Sequence, residues 1–248
     1  MKAVILAAGR GKRLNSFTKS QPKPLTPILG KPIIEHTLDT LKNVGISNCI
    51  IVTGYLGKLI QKRLGNGSEF NIKIQYCYNP QYMSGNAISL KTAEKHIKNN
   101  EQFLLLMADH YVSQEIIKEA LKKSNYKRLL CVDKNPAYPP QIKDATKVLV
   151  NSEGYIVDIG KKIPLWNAVD TGVFILDNSI FKIIKILERT EKDLTITRCV
   201  KQSALNGKPL WACNVSGKLW FDIDTKEDVI FVESFLYEAL KCQETGME

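Results

Sequence analysis

A short apolar run, Ala3-Val4-Ile5-Leu6-Ala7-Ala8, empties directly into Gly9-Arg10-Gly11-Lys12-Arg13-Leu14, and Gln21-Pro22-Lys23-Pro24-Leu25 follows soon after. An unbroken apolar run of this length reads as a strand buried on both faces of a parallel sheet. The small residues and glycines after it let the backbone turn tightly and approach a ligand closely. Arg10, Lys12 and Arg13 supply cations to the turn, and Lys23 is held between two prolines. Small residues at a strand's carboxyl end, backed by fixed cations, suit a polyphosphate. On Gly9 and Gly11 alone, an ordinary strand-to-helix turn with a solvated basic loop is the simpler reading. The spacing matches neither Gly-x-Gly-x-x-Gly nor a Gly-Lys-Ser/Thr phosphate loop.

The rest of the chain sets the fold class. Pro32 opens a helix with Ile34, Leu38 and Leu41 inward, and Gly45 stops it. Strands are predicted at 49–53, 72–76, 103–107 and 128–132, alternating with helices at 55–64, about 87–97 and 116–121. That rhythm predicts an α/β doubly wound, mostly parallel sheet with helices on both faces. Ligands of such sheets sit beyond the carboxyl ends of the strands, where the first loop and Asp109 fall. After Asp133 a proline-rich loop, 135–140, leads into short strands at 147–150, 155–159 and 173–176. Helices at about 178–188 and 193–205, a strand at 210–215 and the strand end Trp220-Phe221-Asp222-Ile223-Asp224 follow. Thr225 caps a final helix with Val229, Val232 and Leu236 inward. The expectation is one domain over 1–248, with 1–133 as one half and 134–248 as a smaller lid and closing helix on the same sheet.

Several function classes are excluded on composition. No apolar run approaches the roughly 20 residues of a membrane span. The first strand is too short, and too soon followed by cations, for a secretory signal, so a cytoplasmic location is expected. The six cysteines (Cys49, Cys77, Cys131, Cys199, Cys213 and Cys242) form no C-x-x-C pair. They read as buried reduced thiols, with Cys242 exposed near the tail. The net charge of +10 raises the question of nucleic acid, yet the lysines are scattered singly, without aromatic interleaving. A basic surface that favours anionic substrates, and no nucleic-acid partner, is the expectation.

Asp109 ends a strand of apolar residues, where an unpaired buried carboxylate would be costly. Asp222 and Asp224 lie on another strand end, and alternation puts both on one face. Asp224 then either caps the last helix or faces the site.

The whole string L-A-A-G-x-G-x-R-L followed by x-P-K-P-L resembles the signature of the sugar-phosphate nucleotidyltransferase family. The resemblance implies a Rossmann-like fold in which Leu6, Ala7, Ala8, Gly9 and Gly11 wrap a nucleoside triphosphate, with Arg13 and Lys23 on its phosphates. It also implies that Asp109 and Asp224 together hold Mg2+. Gly85-Asn86-Ala87-Ile88-Ser89-Leu90, Ala108-Asp109-His110-Tyr111-Val112-Ser113, Ala145-Thr146-Lys147-Val148, Ile159-Gly160-Lys161, Val169-Asp170-Thr171-Gly172 and Leu219-Trp220-x-x-Ile223-Asp224 are similar to the branch of CTP:inositol-1-phosphate cytidylyltransferases. That branch would place Gly85, Asn86 and Ser89 by the nucleotide. Lys147, Lys161, Asp170 and Thr171 would lie by the acceptor. Read singly, Lys147 and Lys161 are equally exposed strand lysines, and Asp170-Thr171-Gly172 is equally a turn. Ala108 stands where members often have glycine. Members are often fused to a membrane domain; nothing follows Glu248, so a separate membrane enzyme using the product is implied.

The reaction so implied is attack of an acceptor phosphate oxygen on the α-phosphorus of CTP, with loss of pyrophosphate. A phosphate monoester with a second pKa of about 6 is already ionised at neutral pH, so no general base is required and His110 is expected to be a wall residue. Asp109 and Asp224, if close together without a cation, should raise each other's pKa. Three alternatives stay open: a phosphocholine or aminoalkylphosphonate cytidylyltransferase, a glucose-1-phosphate thymidylyl- or uridylyltransferase, and a non-catalytic nucleotide-binding regulatory module. Thr53-Gly54-Tyr55-Leu56 and Asn79-Pro80 resemble the first. Lys147 and Lys161 suit an uncharged polyol phosphate.

Overall fold

The computed structural model describes residues 1–14, 20–136, 142 and 144–245. Residues 137–140 of the proline-rich loop and the side chain of Cys242 lie outside this description. A central sheet carries strands β1 (Lys2–Ala7), β4 (Asn48–Thr53), β5 (Lys73–Tyr78) and β6 (Gln102–Met107) in the order β5-β4-β1-β6, all parallel. Between β1 and β4 lies a small hairpin of β2 (Pro27–Ile28) and β3 (Lys31–Pro32).

Strands β1, β4 and β6 are nearly all apolar because both of their faces are covered, whereas β5, at the sheet's edge, mixes exposed and buried residues. Val4 and Leu6 pack with Val52 and Leu105 on one face. Ala3, Ile5 and Ala7 pack with Ile34, Leu38 and Leu41 of helix α1 (Ile33–Asn43) on the other. Pro32 sits at the N-cap of α1 and Gly45, at φ +79°, follows its end. Helices α2 (Gly57–Leu64), α3 (Asn86–Lys91) and α4 (Gln114–Lys122) complete the first half. The helix expected over 87–97 stops at Lys91. Thr92 and Ala93 donate to carbonyls three residues back, and the Thr92 hydroxyl also takes the Ser89 carbonyl. That tightened geometry ends an α-helix.

The second half joins through one long strand, β11 (Ala168–Asp177), antiparallel to β6 and to β8 (Leu129–Asp133). Its edge continues through β9 (Lys147–Val150) and β10 (Ile156–Gly160), while β12 (Trp211–Asn214) pairs with β8. Val173 lies opposite Leu106, so Asp170, Thr171 and Gly172 run past the carboxyl end of β6. This is not the turn that Asp170-Thr171-Gly172 offered. The strand runs through it, with a register shift between Asp170 and Phe174 and a positive φ of +78° at Gly172. Such a bulge re-aims side chains at the end of a sheet.

Helices α5 (Ser179–Leu187) and α6 (Ile196–Leu205) cover one face. Beyond β6, β7 (His110–Val112) pairs antiparallel with β13 (Trp220–Asp222), setting Asp222 opposite His110. The final helix, α7 (Lys226–Thr245), clamps that pair, packing Val229, Val232 and Leu236 against Phe221 and Ile223. The five cysteines with described side chains are buried and free. No helix among the described residues is long and apolar enough to cross a membrane.

Candidate active site

The carboxyl ends of β1 and β6, the start of β11 and the end of β13 converge on one point, and Lys23 occupies it. Its Nζ donates to Asp109 Oδ2 and to Asp224 Oδ1, each at 2.7 Å. Asp222 Oδ1 stands 4.0 Å away. Pro22 and Pro24 fix the backbone around Lys23, and Gly11 lets its stem pass. At Gly11 (φ +62°) a Cβ would lie 2.7 Å from Cβ of Lys23. Burial alone would lower the Lys23 pKa, but Asp109, Asp222 and Asp224 outweigh it and raise it. The head is therefore a fixed ammonium, 5 % exposed.

Arg13 takes the other oxygen of Asp224. Its Nη2 is 2.5 Å from Asp224 Oδ2, and its Nη1 is 3.7 Å from Asp144 Oδ2. The two possible places for Asp224 are thereby decided. Asp224 faces the site, and the cap of α7 is made by Thr225, whose hydroxyl accepts from the Asp228 N–H at 3.2 Å. Asp228 returns the favour by accepting from the backbone N–H groups of Asp224 and Thr225 at 2.9 and 2.7 Å, a reciprocal arrangement like a capping box.

Asp109 and Asp224 do not face each other without a cation, the condition set for a mutual rise, because Lys23 stands between them. Burial pushes the Asp109 carboxyl up, but Lys23 and then His110 hold it well below the usual carboxylate range. The repulsion falls on Asp222 instead. Burial and the charge of Asp109 push Asp222 up to about 6, against the pull of His110 and Lys23. Its Oδ1 is buried and accepts no hydrogen bond among the described residues. His110 Nδ1 lies 3.1 Å from Asp109 Oδ1 and 3.9 Å from Asp222 Oδ1. Burial would lower the His110 pKa, but Asp222 and Asp109 raise it to about 9. Asp109, His110 and Asp222 each offer a ligand atom, all within 4.8 Å of one another. Carboxylate oxygens gathered around a charged head, with one buried oxygen unpartnered, fit a hard divalent cation.

Three cavities meet at Asp109. One, of about 290 Å³, is lined by Leu6, Ala7, Gly9, Gly11, Arg13, Lys23, Asp109 and Asp224. The second, of about 430 Å³, adds Ala8, Gly85, Asn86 and Ser89 to that loop, with Tyr82 and Met83 opposite. The ten loop and helix residues expected around a nucleotide are thus divided between two cavities that share Leu6, Gly9, Gly11 and Asp109. Several also have structural work. Asn86 Oδ1 accepts from the Ile196 N–H, and Ser89 Oγ accepts from Asn79 Nδ2, both at 2.9 Å. A Cβ at Gly85 would stand 2.1 Å from the Leu194 carbonyl oxygen.

The third cavity, of about 460 Å³, shares Arg13, Asp109 and Asp224 with the first and Asn86 with the second, and is lined besides by Lys161, Asp170, Gly172, Trp220 and Asp222 among others. Lys147 and Thr171 stand outside this lining. The Lys147 head donates to the Ile142 and Ala145 carbonyls, and the buried Thr171 hydroxyl donates to the Cys131 carbonyl at 2.9 Å. Asp170 accepts from the Gly172 N–H at 2.7 Å. Burial lifts its carboxyl to about 6 even so.

Sequence reasoning gave no role to Asp222 or to Gly172. The first was within reach, since its alternation with Asp224 already put both on one face. The second needed the bulge, which no local pattern announces.

The sequence model of the nucleotidyl transferase family matches residues 2–238. The chain belongs to that family. Among its relatives within the nucleotidyl transferases, a "Bifunctional IPC transferase and DIPP synthase" of Archaeoglobus fulgidus is 37 % identical over 92 % of this chain and 42 % of the relative. One of the same name from Aquifex aeolicus is 32 % identical over 96 % of this chain and 52 % of the relative. The chain thus spans about half the length of the curated relatives it matches. The solved inositol-1-phosphate CTP transferase from T. maritima superposes with a TM-score of 0.80 and 27 % identity, covering 94 % of each chain. A UDP-glucose pyrophosphorylase complexed with UDP-glucose gives a TM-score of 0.81 at 21 % identity over 96 % of this chain and 98 % of that one, a likeness of fold alone.

Proposed function

We propose that this chain transfers the cytidylyl group of CTP to a phosphorylated polyol, inositol 1-phosphate above all, and releases pyrophosphate. The observation that carries the reading is the meeting of two cavities at Asp109, Asp224 and Arg13, with Lys23 between the carboxylates. Transfer needs two phosphates brought together in line, and a junction of this kind holds one on each side. The T. maritima likeness over 94 % of both chains supports the choice of substrates.

On this reading the loop from Leu6 to Gly11, with Gly85, Asn86 and Ser89, receives the nucleotide, and Arg13 and Lys23 bind its phosphates. Asp109 and Asp224 hold Mg2+, which when bound neutralises phosphate charge. Lys161 meets the acceptor phosphate, and Asp170 accepts from acceptor hydroxyls. Lys147 and Thr171 serve by fixing the walls of the acceptor cavity. Catalysis is alignment and charge neutralisation, and the acceptor oxygen needs no proton removed. The halves 1–133 and 134–248 work as one domain.

A specific observation favours a second reading. Lys147 is tied to backbone carbonyls, while Asp144, Asp170, Asp222, Glu227, Asp228 and Trp220 line the acceptor cavity. Acidic and aromatic walls also suit the cation of phosphocholine or of an aminoalkylphosphonate. Pyrophosphate release decides, with four nucleoside triphosphates each paired with inositol 1-phosphate, phosphocholine, 2-aminoethylphosphonate and glucose 1-phosphate. The highest kcat/KM is expected for CTP with inositol 1-phosphate. A higher value for phosphocholine or the phosphonate overturns the polyol. One for UTP or dTTP with glucose 1-phosphate overturns both readings, and no release from any pair makes the chain a binding module.

A further inference from the structure

We infer that Lys23 is the resident cation of the carboxylate pair in the nucleotide-free protein, and that it exchanges with the divalent ion when substrate arrives. The inference rests on Asp109 and Asp224 being the metal-holding residues of the proposed reaction. Lys23 donates at 2.7 Å to one oxygen of each of those carboxylates. The remaining oxygens are faced by His110, 3.1 Å from Asp109 Oδ1, and by Arg13, 2.5 Å from Asp224 Oδ2, so a metal has no oxygen of the pair to itself, and two cations on one oxygen repel strongly at such range. The metal therefore has to displace the ammonium.

The local construction permits that motion. The stem is pinned at its root by Pro22, Pro24 and the close pass over Gly11. Gly11 faces the stem as far as Cδ, so rotation about the Cδ–Cε bond is what moves the ammonium between the carboxylates and the cavity. Lys23 already lines the cavity beside Gly9, Gly11 and Arg13, so a head released from the carboxylates enters the space proposed for the phosphates. Until then it holds Asp109, Asp222 and Asp224 together against their own repulsion. A free divalent ion meets a neutralised pair and binds weakly. An ion arriving with a triphosphate brings the anion that receives the displaced head. The lysine thus makes metal entry depend on nucleotide entry.

The test uses Mn2+ alone, without nucleotide, and reads the loss of the free-ion EPR signal. Wild type should bind weakly. Lys23→Met, which keeps the stem and removes the charge, should bind one Mn2+ on the order of 10- to 100-fold more tightly. The melting temperature of Lys23→Met should also rise more than that of wild type when Mn2+ is added. Lys23→Gln, with a polar head of similar reach, covers the case in which the methionine variant does not fold. Adding Asp224→Asn should remove the gain. Equal affinity of wild type and the Lys23 variants, with Asp224→Asn weakening all of them, overturns the exchange and leaves the metal-holding pair standing. Tight binding that survives Asp224→Asn overturns the pair itself, and the exchange with it.

Discussion

Gly172 packs closely against His110 at the edge of the acceptor cavity, and replacing the glycine tests whether that packing positions the site. A Cβ at Gly172 would stand 2.8 Å from His110 Cδ2, 2.9 Å from its Nε2 and 3.2 Å from Met107 Cγ. The residue also has a φ of +78°, which costs an L-residue about 1 kcal/mol. The ring cannot yield cheaply, because its Nδ1 contacts Asp109 at 3.1 Å and it is 13 % exposed. Overpacking of this kind adds about 1–3 kcal/mol, so Gly172→Ala should cost about 2–4 kcal/mol. For a chain of this size the melting temperature should fall by roughly 5–15 °C. Urea unfolding of Gly172→Ala, His110→Ala and the double variant separates the two contributions. Removing the ring abolishes the clash but not the backbone cost. The double variant should therefore be more stable than the sum of the singles predicts, by about 1 kcal/mol or more. Additivity within about 0.5 kcal/mol would refute the reasoning, because the glycine would then be needed only for its backbone.

Lys23→Ala should lower kcat by roughly 100-fold, the usual loss for one preorganised donor at a phosphoryl centre, while circular dichroism shows a folded protein; normal turnover would dismiss the first loop as the phosphate site. Asp224→Asn should abolish pyrophosphate release, whereas Thr225→Ala, which removes the cap of α7, should cost about 1 kcal/mol in urea unfolding. Gly85→Ala should raise the KM for CTP and lower the melting temperature together, since its Cβ would strike the Leu194 carbonyl at 2.1 Å. Trp220→Phe should cost about 1–3 kcal/mol by stranding the buried Asp133 Oδ2, which accepts from the indole N–H at 3.0 Å.

The first half of the fold was legible because a parallel strand covered on both faces is a run of apolar residues, and its ends are punctuated. Ile5, Ile51 and Leu105 are fully buried, each within such a run, and Gly45 and Gly54 mark where helix or strand stops. The second half was less so. Strand β11 was predicted from Val173 because Asp170-Thr171-Gly172 has the composition of a turn. In the fold Asp170 pairs with Val132 of β8 and donates its N–H to the Thr146 carbonyl, and Thr171 donates to the Cys131 carbonyl, all contacts distant in sequence. Helix α3 was predicted too long for a related reason. Ala87, Leu90 and Ala93 have helical spacing, and a chain leaving a helix through a 3-10 turn keeps nearly the same faces inward.

In the site, residue types were readable and partnerships were not. Asp109, Asp224, Arg13 and Lys23 could each be singled out, since a charge beside a buried strand end has a cost that something must offset. That the offset for both carboxylates is Lys23 itself could not be read, because positions 23, 109 and 224 meet only through the sheet. The same geometry reassigns the acceptor side. A lysine on a strand is an anion-binding candidate until its head is found on carbonyls, as that of Lys147 is. A carboxylate with no evident role becomes a cation-binding candidate when its Oδ1 is buried without a hydrogen bond among the described residues, as that of Asp222 is. The acceptor cavity is consequently more acidic than two lysines implied, and hydroxyls, which donate to carboxylates, gain there what a second phosphate would lose. Lys161 and Asp170 both line that cavity, which suits the acceptor proposed above, with its one phosphate for the lysine and its several hydroxyls for the carboxylate.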